Sequence, residues 1–135
     1  MEVGEAIFEA SRNGEANEVK ALLRRGGESV KYRDQYGLTA LHAAAFKGHK
    51  DVMKVLIELA GLDLECEDEE GHVPLHMAVE SGDVETVQVL VEKGVNLNVV
   101  NKRGATPLYM ARIWGHHDIC ELLINRGALY SLTPT

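Results

Sequence analysis

The sequence repeats with a period of 33 or 34 residues, and this repetition constrains the fold more than any other feature. Four registers share the period: Gly14, Gly48, Gly82 and Gly115; Gly37, Gly71 and Gly104; Leu22, Leu56, Leu90 and Leu123; Ala10, Ala44, Ala78 and Ala111. A period in this range is typical of stacked supersecondary units. Because one such unit cannot bury its apolar surface alone, we expect neighbouring units to share one continuous core.

Each unit predicts two short helices joined by a tight turn. In the stretch GLTALHAAAFKGHKDVMKVLI, residues 37–57, Gly37 stands where a turn favours positive φ, and Thr39 offers a hydroxyl N-cap. An alanine-rich first helix follows, and Gly48 ends it. The second helix, around residues 52–57, is too broadly apolar for a helix with one buried face. We therefore expect it to be covered on two sides.

The turn before the helix pair has the sequence GLTALH, GHVPLH and GATPLY in the second, third and fourth units. In these turns the chain resembles the ankyrin-repeat family. Pro74 and Pro107 occupy the first helical position of the family's Gly-x-Thr-Pro-Leu-His signature. Ala40 replaces that proline, Val73 replaces the threonine of the next unit, and Tyr109 replaces the histidine of the last. Each unit keeps its leucine, so we expect local softening without loss of the fold.

The resemblance covers residues 4–130 and implies an all-α ankyrin-repeat solenoid of about four helix-turn-helix repeats with short hairpin fingers. We expect a single ankyrin-repeat domain over the whole chain. The predicted units and tail cover residues 1–33, 34–67, 68–100, 101–130 and 131–135. The first unit lacks the signature, and its start, EAIFEASRNGE, has the polar character of an N-terminal cap.

The charge balance excludes several classes of partner. Lys and Arg number 14 and Asp and Glu number 21, which gives a net charge of −7. An acidic chain is not suited to the phosphate backbone of nucleic acids or to an anionic membrane surface. No apolar run approaches the roughly 20 residues that span a bilayer, and the N-terminus lacks the cationic region of a secretory signal. Two cysteines make no disulfide framework, so we expect a cytoplasmic or nuclear protein.

The sequence contains no motif that predicts catalysis. A phosphate-binding glycine loop, a G-x-S-x-G nucleophile turn and an H-E-x-x-H metal motif are all absent from it. The resemblance implies that His42 and His76 are structural, with hydrogen bonds within and between turns. His116, His117 and Cys120 have helix-compatible metal spacing, but Cys120 falls in a core register and is better explained as a small hydrophobe. We predict no enzyme activity, no metal and no cofactor.

The resemblance implies that a protein partner meets the concave side, which is formed by the turn tips and the first helices. Carried over by register, this surface comprises Gln35, Tyr36, Leu38, Phe46 and Lys47 in the second unit, Glu69, Glu70, His72, Glu80 and Ser81 in the third, and Lys102, Arg103, Ala105, Ile113 and Trp114 in the fourth. In the first unit only Arg12 and Asn13 correspond.

Three of the few aromatic residues, Tyr36, Phe46 and Trp114, fall in these variable positions. Exposed aromatic side chains on a concave surface are typical of interface hot spots. The alternative for Trp114, together with Ile113, is that the two side chains cover the open C-terminal end of the stack. The turn tips also alternate in charge, with five acids in residues 65–70 and a basic tip after them. Two interpretations of the acidic tip stand: it is a solvated turn, or the alternating charges set the register of a bound partner.

The C-terminal end leaves alternatives open. The last helix carries the apolar residues Ile119, Leu122, Leu123 and Ile124, with no fifth unit after them. Terminal repeats normally present a polar outer face. Either the tail folds over this side through Leu129, Tyr130 and Leu132, or the chain is a fragment of a larger scaffold, or the face meets another protein.

We therefore predict a non-catalytic protein–protein interaction module, an adaptor or regulator that recognises a protein through its concave face. The alternative function is that of a self-assembling structural protein, which forms a homo-oligomer through the uncovered C-terminal end.

Overall fold

The structure, a computed structural model, describes residues 2–129 of the chain. These residues contain eight α-helices in four consecutive pairs. The helices are α1 (Val3–Arg12), α2 (Ala16–Arg25), α3 (Ala40–Phe46), α4 (Lys50–Ala60), α5 (Pro74–Ser81), α6 (Val84–Val91), α7 (Pro107–Ile113) and α8 (His117–Asn125), with a 3-10 helix at Gly27–Lys31. Residues 2–129 contain no β-strand, so the predicted all-α class is confirmed. Within the same residues no helix is both long and apolar enough to cross a membrane.

The four pairs stack so that the first helices form one layer and the second helices form another. Helices α1, α3, α5 and α7 contact one another in that order, and so do α2, α4, α6 and α8. Each predicted unit holds one pair, and the unit boundaries themselves remain a prediction. Two rows of buried side chains run through the stack at the repeat period: Ile7, Leu41, Leu75 and Leu108 from the first layer, and Leu22, Leu56, Leu90 and Leu123 from the second. The predicted shared core is therefore present.

Helices α3, α5 and α7 begin as the sequence predicts, each with one element of the turn pattern missing. The hydroxyl oxygen of Thr39 accepts a hydrogen bond from the backbone N–H of His42 at 3.3 Å. Thr106 caps α7 in the same way, with 3.1 Å to the backbone N–H of Tyr109. Val73 has no hydroxyl to offer α5, so that helix begins with a proline at its first position but without a side-chain cap.

Two glycines that the sequence marks as turn residues have the expected backbone. Gly48, after α3, has φ of +72°, and Gly37, in the preceding turn, has φ of +79°. Both values lie in the left-handed region, which glycine adopts at no steric cost. A Cβ atom on Gly37 would also lie 3.1 Å from the backbone nitrogen of Glu69, so the next turn packs directly against it.

The hairpin before each first helix, hereafter the hairpin tip, is held by one acceptor side chain. In the third unit Asp68 Oδ1 accepts from the backbone N–H groups of Glu70 and His72 at 2.9 and 2.8 Å. Asp34 and Asn101 make the equivalent pairs of bonds in the second and fourth units. Because a short Asx side chain satisfies two donors at once, the backbone of each tip has a fixed shape.

Backbone hydrogen bonds join the tips of neighbouring units. The N–H of Glu69 donates to the carbonyl of Tyr36 at 3.0 Å, and the N–H of Lys102 donates to the carbonyl of Glu70 at 2.9 Å. The tips therefore form one continuous row beside the layer of first helices.

The histidines of the turns link successive units. His42 Nδ1 accepts from the backbone N–H of Thr39 at 3.2 Å, so its Nε2 carries the proton and donates to the carbonyl of His72 at 2.8 Å. His76 repeats the arrangement and donates through Nε2 to the carbonyl of Ala105 at 3.0 Å. Burial lowers the pKa of both imidazoles, in His76 to about 4. The predicted structural role of both histidines is confirmed.

The last unit departs from this pattern at two positions. Tyr109 stands in the register of the linking histidines, and Arg112 stands in the register of Ala45 and Val79, which are fully buried between first helices. Arg112 is partly exposed. A further unit stacked on α7 would bury a guanidinium where the inner units bury small apolar side chains, which is costly unless the charge is paired.

The apolar side chains predicted on the last helix differ in how deeply they are buried. Ile119 and Leu123 are fully buried against the preceding unit, Leu122 is half-buried, and Ile124 is exposed. Cys120, predicted in a core register, is only partly buried. Residues 130–135 lie outside the described part of the chain, so the prediction that Tyr130 and Leu132 cover this side is not addressed by it.

Candidate protein-binding surface

Two grooves lie between the hairpin tips and the layer of first helices. Groove A, with a volume of 810 Å³, crosses the first three units. Its apolar lining is Phe8, Tyr36, Leu38, Ala43, Phe46 and Met77, and its polar lining is Arg12, Asn13, Asp34, Lys47, Asp68, Glu70, His72 and Glu80. Recognition sites usually combine apolar side chains that give contact area with polar groups that fix the orientation of the ligand.

Groove B, with a volume of 470 Å³, continues along the same face over the third and fourth units. It is lined by Asn101, Arg103, Ala105, Tyr109, Met110, Ile113 and Trp114, and it shares Glu70, His72 and Glu80 with groove A.

The aromatic side chains of groove A come from both walls. Phe46 is the last residue of α3 and is 44% exposed, although the ammonium nitrogen of Lys47 lies 5.7 Å from its ring centroid. Tyr36 projects from the hairpin tip, where the carboxylate of Asp34 holds its backbone N–H at 2.9 Å. An exposed ring on each wall gives groove A two fixed apolar contact points.

Groove B has its apolar residues at the end of α7. Ile113 is 60% exposed and Trp114 is 59% exposed, and both line the groove. Within residues 2–129 the Trp114 ring therefore lies open on the concave side rather than packed over the end of the stack. The alternative reading of these two residues as end cover finds no support in their exposure.

The wall between the grooves is acidic. Glu70 is exposed on the third hairpin tip, and Glu80 is half-buried near the end of α5. His72 lines both grooves with them and is oriented by two hydrogen bonds: Asn101 Nδ2 donates to its Nε2 at 3.3 Å, and its Nδ1 donates to Asp68 Oδ2 at 3.1 Å. The carboxylate of Asp68 is used within the fold, whereas those of Glu70 and Glu80 face the grooves.

The structure brings most of the residues predicted for binding to these grooves. Those that line one or both are Tyr36, Leu38, Phe46, Lys47, Glu70, His72, Glu80, Arg103, Ala105, Ile113 and Trp114. Arg12 and Asn13, which correspond in the first unit, line groove A. Their role in binding a partner remains a prediction.

Five of the predicted residues contribute less than their register suggests. Gln35, Glu69 and Lys102 are exposed on the hairpin tips but line neither groove. The hydroxyl of Ser81 donates to the carbonyl of Ala78 at 2.6 Å and so serves the end of α5. Ala105 is buried, so its methyl group offers groove B little contact area. Its backbone carbonyl already accepts a hydrogen bond from His76.

The sequence pattern did not predict the residues that form the floor of the grooves. Ala43, Met77 and Met110 share one register and form the floor, and Phe8 and Tyr109 stand in the register of the linking histidines. Two methionines at one register were the available signal, because a flexible thioether suits an adaptable contact surface. Nothing in the repeat pattern marks Phe8 as different from a core residue.

The polar side chains offer little chemistry beyond contact. Within residues 2–129 no group of three or more His, Cys, Asp or Glu side chains is placed to hold a metal ion. Burial raises the pKa of the Cys66 and Cys120 thiols, so both remain protonated at neutral pH and are poor nucleophiles.

Stacked helix pairs with hairpin tips and an open concave face define a helical-repeat solenoid. The family model for ankyrin repeats in three copies matches residues 3–68 and 56–133, and the chain therefore belongs to the ankyrin-repeat family, as its signature predicts. Ankyrin repeats are in general protein–protein interaction modules. A search among curated protein sequences gave no match.

Proposed function

We propose that this protein is a non-catalytic adaptor or regulator that holds a protein partner in grooves A and B. One observation carries the proposal: the exposed rings of Tyr36, Phe46 and Trp114 all line these grooves. Register equivalents of Trp114 in the inner units are Lys47 and Ser81, so the indole is not required by the repeat.

The energetic argument rests on the size and rigidity of these side chains. An aromatic ring removes a large apolar area from water on binding and loses few rotamers in doing so. A cluster of such rings beside polar groups is the arrangement that dominates measured interface energies. We also propose a cytoplasmic or nuclear location, because both cysteines are free and neither is needed as a disulfide.

The test compares proteins captured from a cell lysate by immobilised wild type and by three single variants, Trp114→Ala, Phe46→Ala and Leu59→Ala. Leu59 is the matched control, because it is as exposed as Ile113 and lies on α4, away from both grooves. We expect the wild type and Leu59→Ala to retain the same protein, and Trp114→Ala or Phe46→Ala to lose it. Equal retention by all variants would refute the proposal.

A second candidate function, self-association through the C-terminal end, is favoured by the exposure of Ile124 and Leu129 there. Sedimentation of the wild type and of Ile124→Ser over a range of concentrations separates the two candidates. An association that Ile124→Ser abolishes and Trp114→Ala leaves intact would favour the second candidate.

A further inference from the structure

One row of side chains crosses both grooves in a fixed order. Phe46, Glu80 and Ile113 occupy the same register in α3, α5 and α7, which contact one another in that sequence. Phe46 lines groove A, Ile113 lines groove B, and Glu80 lines both. Across the concave face a partner therefore meets an apolar side chain, then a carboxylate, then a second apolar side chain.

The carboxylates at the centre are available, whereas most neighbouring charges are engaged. Asp34 and Asp68 hold the hairpin tips, and Arg12 forms an ion pair with Glu9. The remaining cations of the grooves lie towards the two sides, with Lys47 beside the Phe46 ring and Arg103 on the fourth tip. Glu70 and Glu80 together make the centre of the face acidic.

The spacing of the row follows from helix packing. Packed neighbouring helices lie about 8–10 Å apart, so the two steps from α3 to α7 cover roughly 16–20 Å. An extended segment in the polyproline II conformation advances about 3.1 Å per residue and returns its side chains to the same side every third residue, so roughly five or six residues cover that distance. The carboxylate lies at its midpoint, about three residues from each apolar side chain.

A helical partner segment fits less well. A helix with its side chains is about 10–12 Å across, so the part of it that crosses one unit would occupy roughly 700–1,000 Å³. Groove B provides 470 Å³ over one step between units, and groove A provides 810 Å³ over the two steps between its three units, so a helix would lie mostly outside either groove. An extended polyproline II segment, with single side chains entering each groove, is the better match.

We propose that the partner contributes an extended segment in the polyproline II conformation, in which one lysine or arginine is flanked, about three residues away on each side, by an apolar residue. The basic residue pairs with Glu70 and Glu80, and the flanking apolar residues contact Phe46 in groove A and Ile113 in groove B. This inference rests on the proposed function, because it specifies the chemistry of the segment that the same grooves receive. Repulsion between like charges also disfavours segments with an acidic centre.

The first experiment uses a random peptide library displayed on phage as the probe, selected against the immobilised wild type. We expect the enriched peptides to share a Lys or Arg with apolar residues about three positions before and after it. No enrichment, an acidic or neutral centre, or apolar residues at helical spacing would each overturn the inference. Selection against the double variant Glu70→Lys/Glu80→Lys should no longer enrich the basic centre.

The second experiment measures the affinity of one selected synthetic peptide for single variants. Glu80→Gln should weaken binding about two- to fivefold, the range for one exposed charge pair, and the loss should shrink at high salt. Glu92→Gln is the control, since Glu92 is exposed and lines neither groove. Equal affinity of Glu80→Gln and Glu92→Gln would overturn the inference.

The failure of this inference is distinguishable from that of the proposed function. A captured protein that Trp114→Ala releases, but that binds the Glu70→Lys/Glu80→Lys variant unchanged, would leave the proposed function standing and refute the basic segment. A captured protein that no groove variant releases would refute the proposed function itself.

Discussion

At the residue scale, the protonation state of His76 is part of the fold. The ring is fully enclosed, its Nδ1 accepts from the backbone N–H of Val73, and its Nε2 donates to the carbonyl of Ala105. The pKa of His76 is lowered from 6.5 to about 4, chiefly by burial and also by the nearby His72, whereas the bond to Ala105 acts in the opposite direction. The native state therefore needs the neutral imidazole.

The first prediction concerns stability at acid pH. The pKa of His76 is lower in the folded chain than in the unfolded chain, so between about pH 6.5 and pH 4 the unfolded state binds more protons. Stability should be complete above pH 6.5 and fall as the pH drops through this window, by on the order of 3 kcal/mol from His76 at the lower limit. Urea unfolding at pH 7 and pH 5 measures the loss.

The control for this prediction is a pair of matched substitutions. His76→Gln removes the titrating group, so its stability should depend less on pH between 7 and 5 than that of the wild type. His117→Gln changes an exposed histidine and should leave the dependence unchanged. If His76→Gln retained the full dependence, the loss would arise from other groups.

A second prediction at this scale concerns Trp114. Because its ring is 59% exposed and lies outside the buried rows, Trp114→Ala should change the free energy of unfolding little. The same substitution should weaken partner binding by about 2 kcal/mol or more, as expected for a hot spot. Since Trp114 is the only tryptophan, its emission should be red-shifted in the free protein and shift to the blue on binding. A blue emission in the free protein would contradict an exposed ring.

At the element scale, each of α3, α5 and α7 retains some of the devices that begin it and lacks one. Helix α5 has its proline and its histidine but begins after Val73, where α3 and α7 begin after threonine. The backbone N–H of His76 therefore lacks the side-chain acceptor that Thr39 supplies to its own helix. This gap is a position where a single hydroxyl adds a hydrogen bond.

The third prediction follows from that gap. Val73→Thr should stabilise the protein by about 0.5–1.5 kcal/mol, because the new hydroxyl caps α5 with almost no change in side-chain volume. Val79→Thr is the control: it makes the same change at a fully buried position of the same helix, outside its first turn, and should destabilise. Thermal melts of both variants give the comparison. Destabilisation by Val73→Thr would show that the site cannot accept the hydroxyl.

The sequence predicts the helices well because their signals are local. Thr39 and Gly48 mark where α3 begins and ends through hydrogen bonding and backbone geometry, and both positions behave as expected. The groove floor depends instead on which face of a first helix remains uncovered after stacking. That outcome involves three units at once, so Phe8 carries no local mark of its place in groove A.

At the scale of the whole molecule, stability is shared between units. The buried row of leucines in the second layer runs from Leu22 to Leu123, and each member contacts the core of its neighbours. In a stack this short, no unit has enough buried surface to remain folded without the adjacent one. We therefore expect the chain to unfold in one cooperative transition.

The fourth prediction tests this sharing. Leu90→Ala removes a fully buried side chain and should lower the free energy of unfolding by about 2–5 kcal/mol, with the single transition preserved at lower temperature. Leu59→Ala, at an exposed position, should change it by less than about 0.5 kcal/mol. Calorimetry measures both. Two separated transitions in the wild type would contradict a shared core.

The period predicts the number of stacked units before any coordinate is known, because the same register recurs four times in the leucine row. The site is less predictable at this scale. Register alone placed Ala105 and Ser81 on the binding surface, yet burial and a hydrogen bond to the helix end remove most of their side-chain contact. Local packing, which the repeat pattern does not encode, decides such positions.

The hydrogen bonds of His42 and His76 also make the array directional. Each imidazole donates forward, to a carbonyl of the following unit, and Tyr109 in the last unit replaces the donor with a different group. The units are consequently not interchangeable modules. Moving the fourth unit to an internal place would remove a forward donor and enclose Arg112, whereas duplicating the third unit would preserve both the donor and the small buried side chain. The stability of the array should therefore depend on the order of its units, and not only on their number.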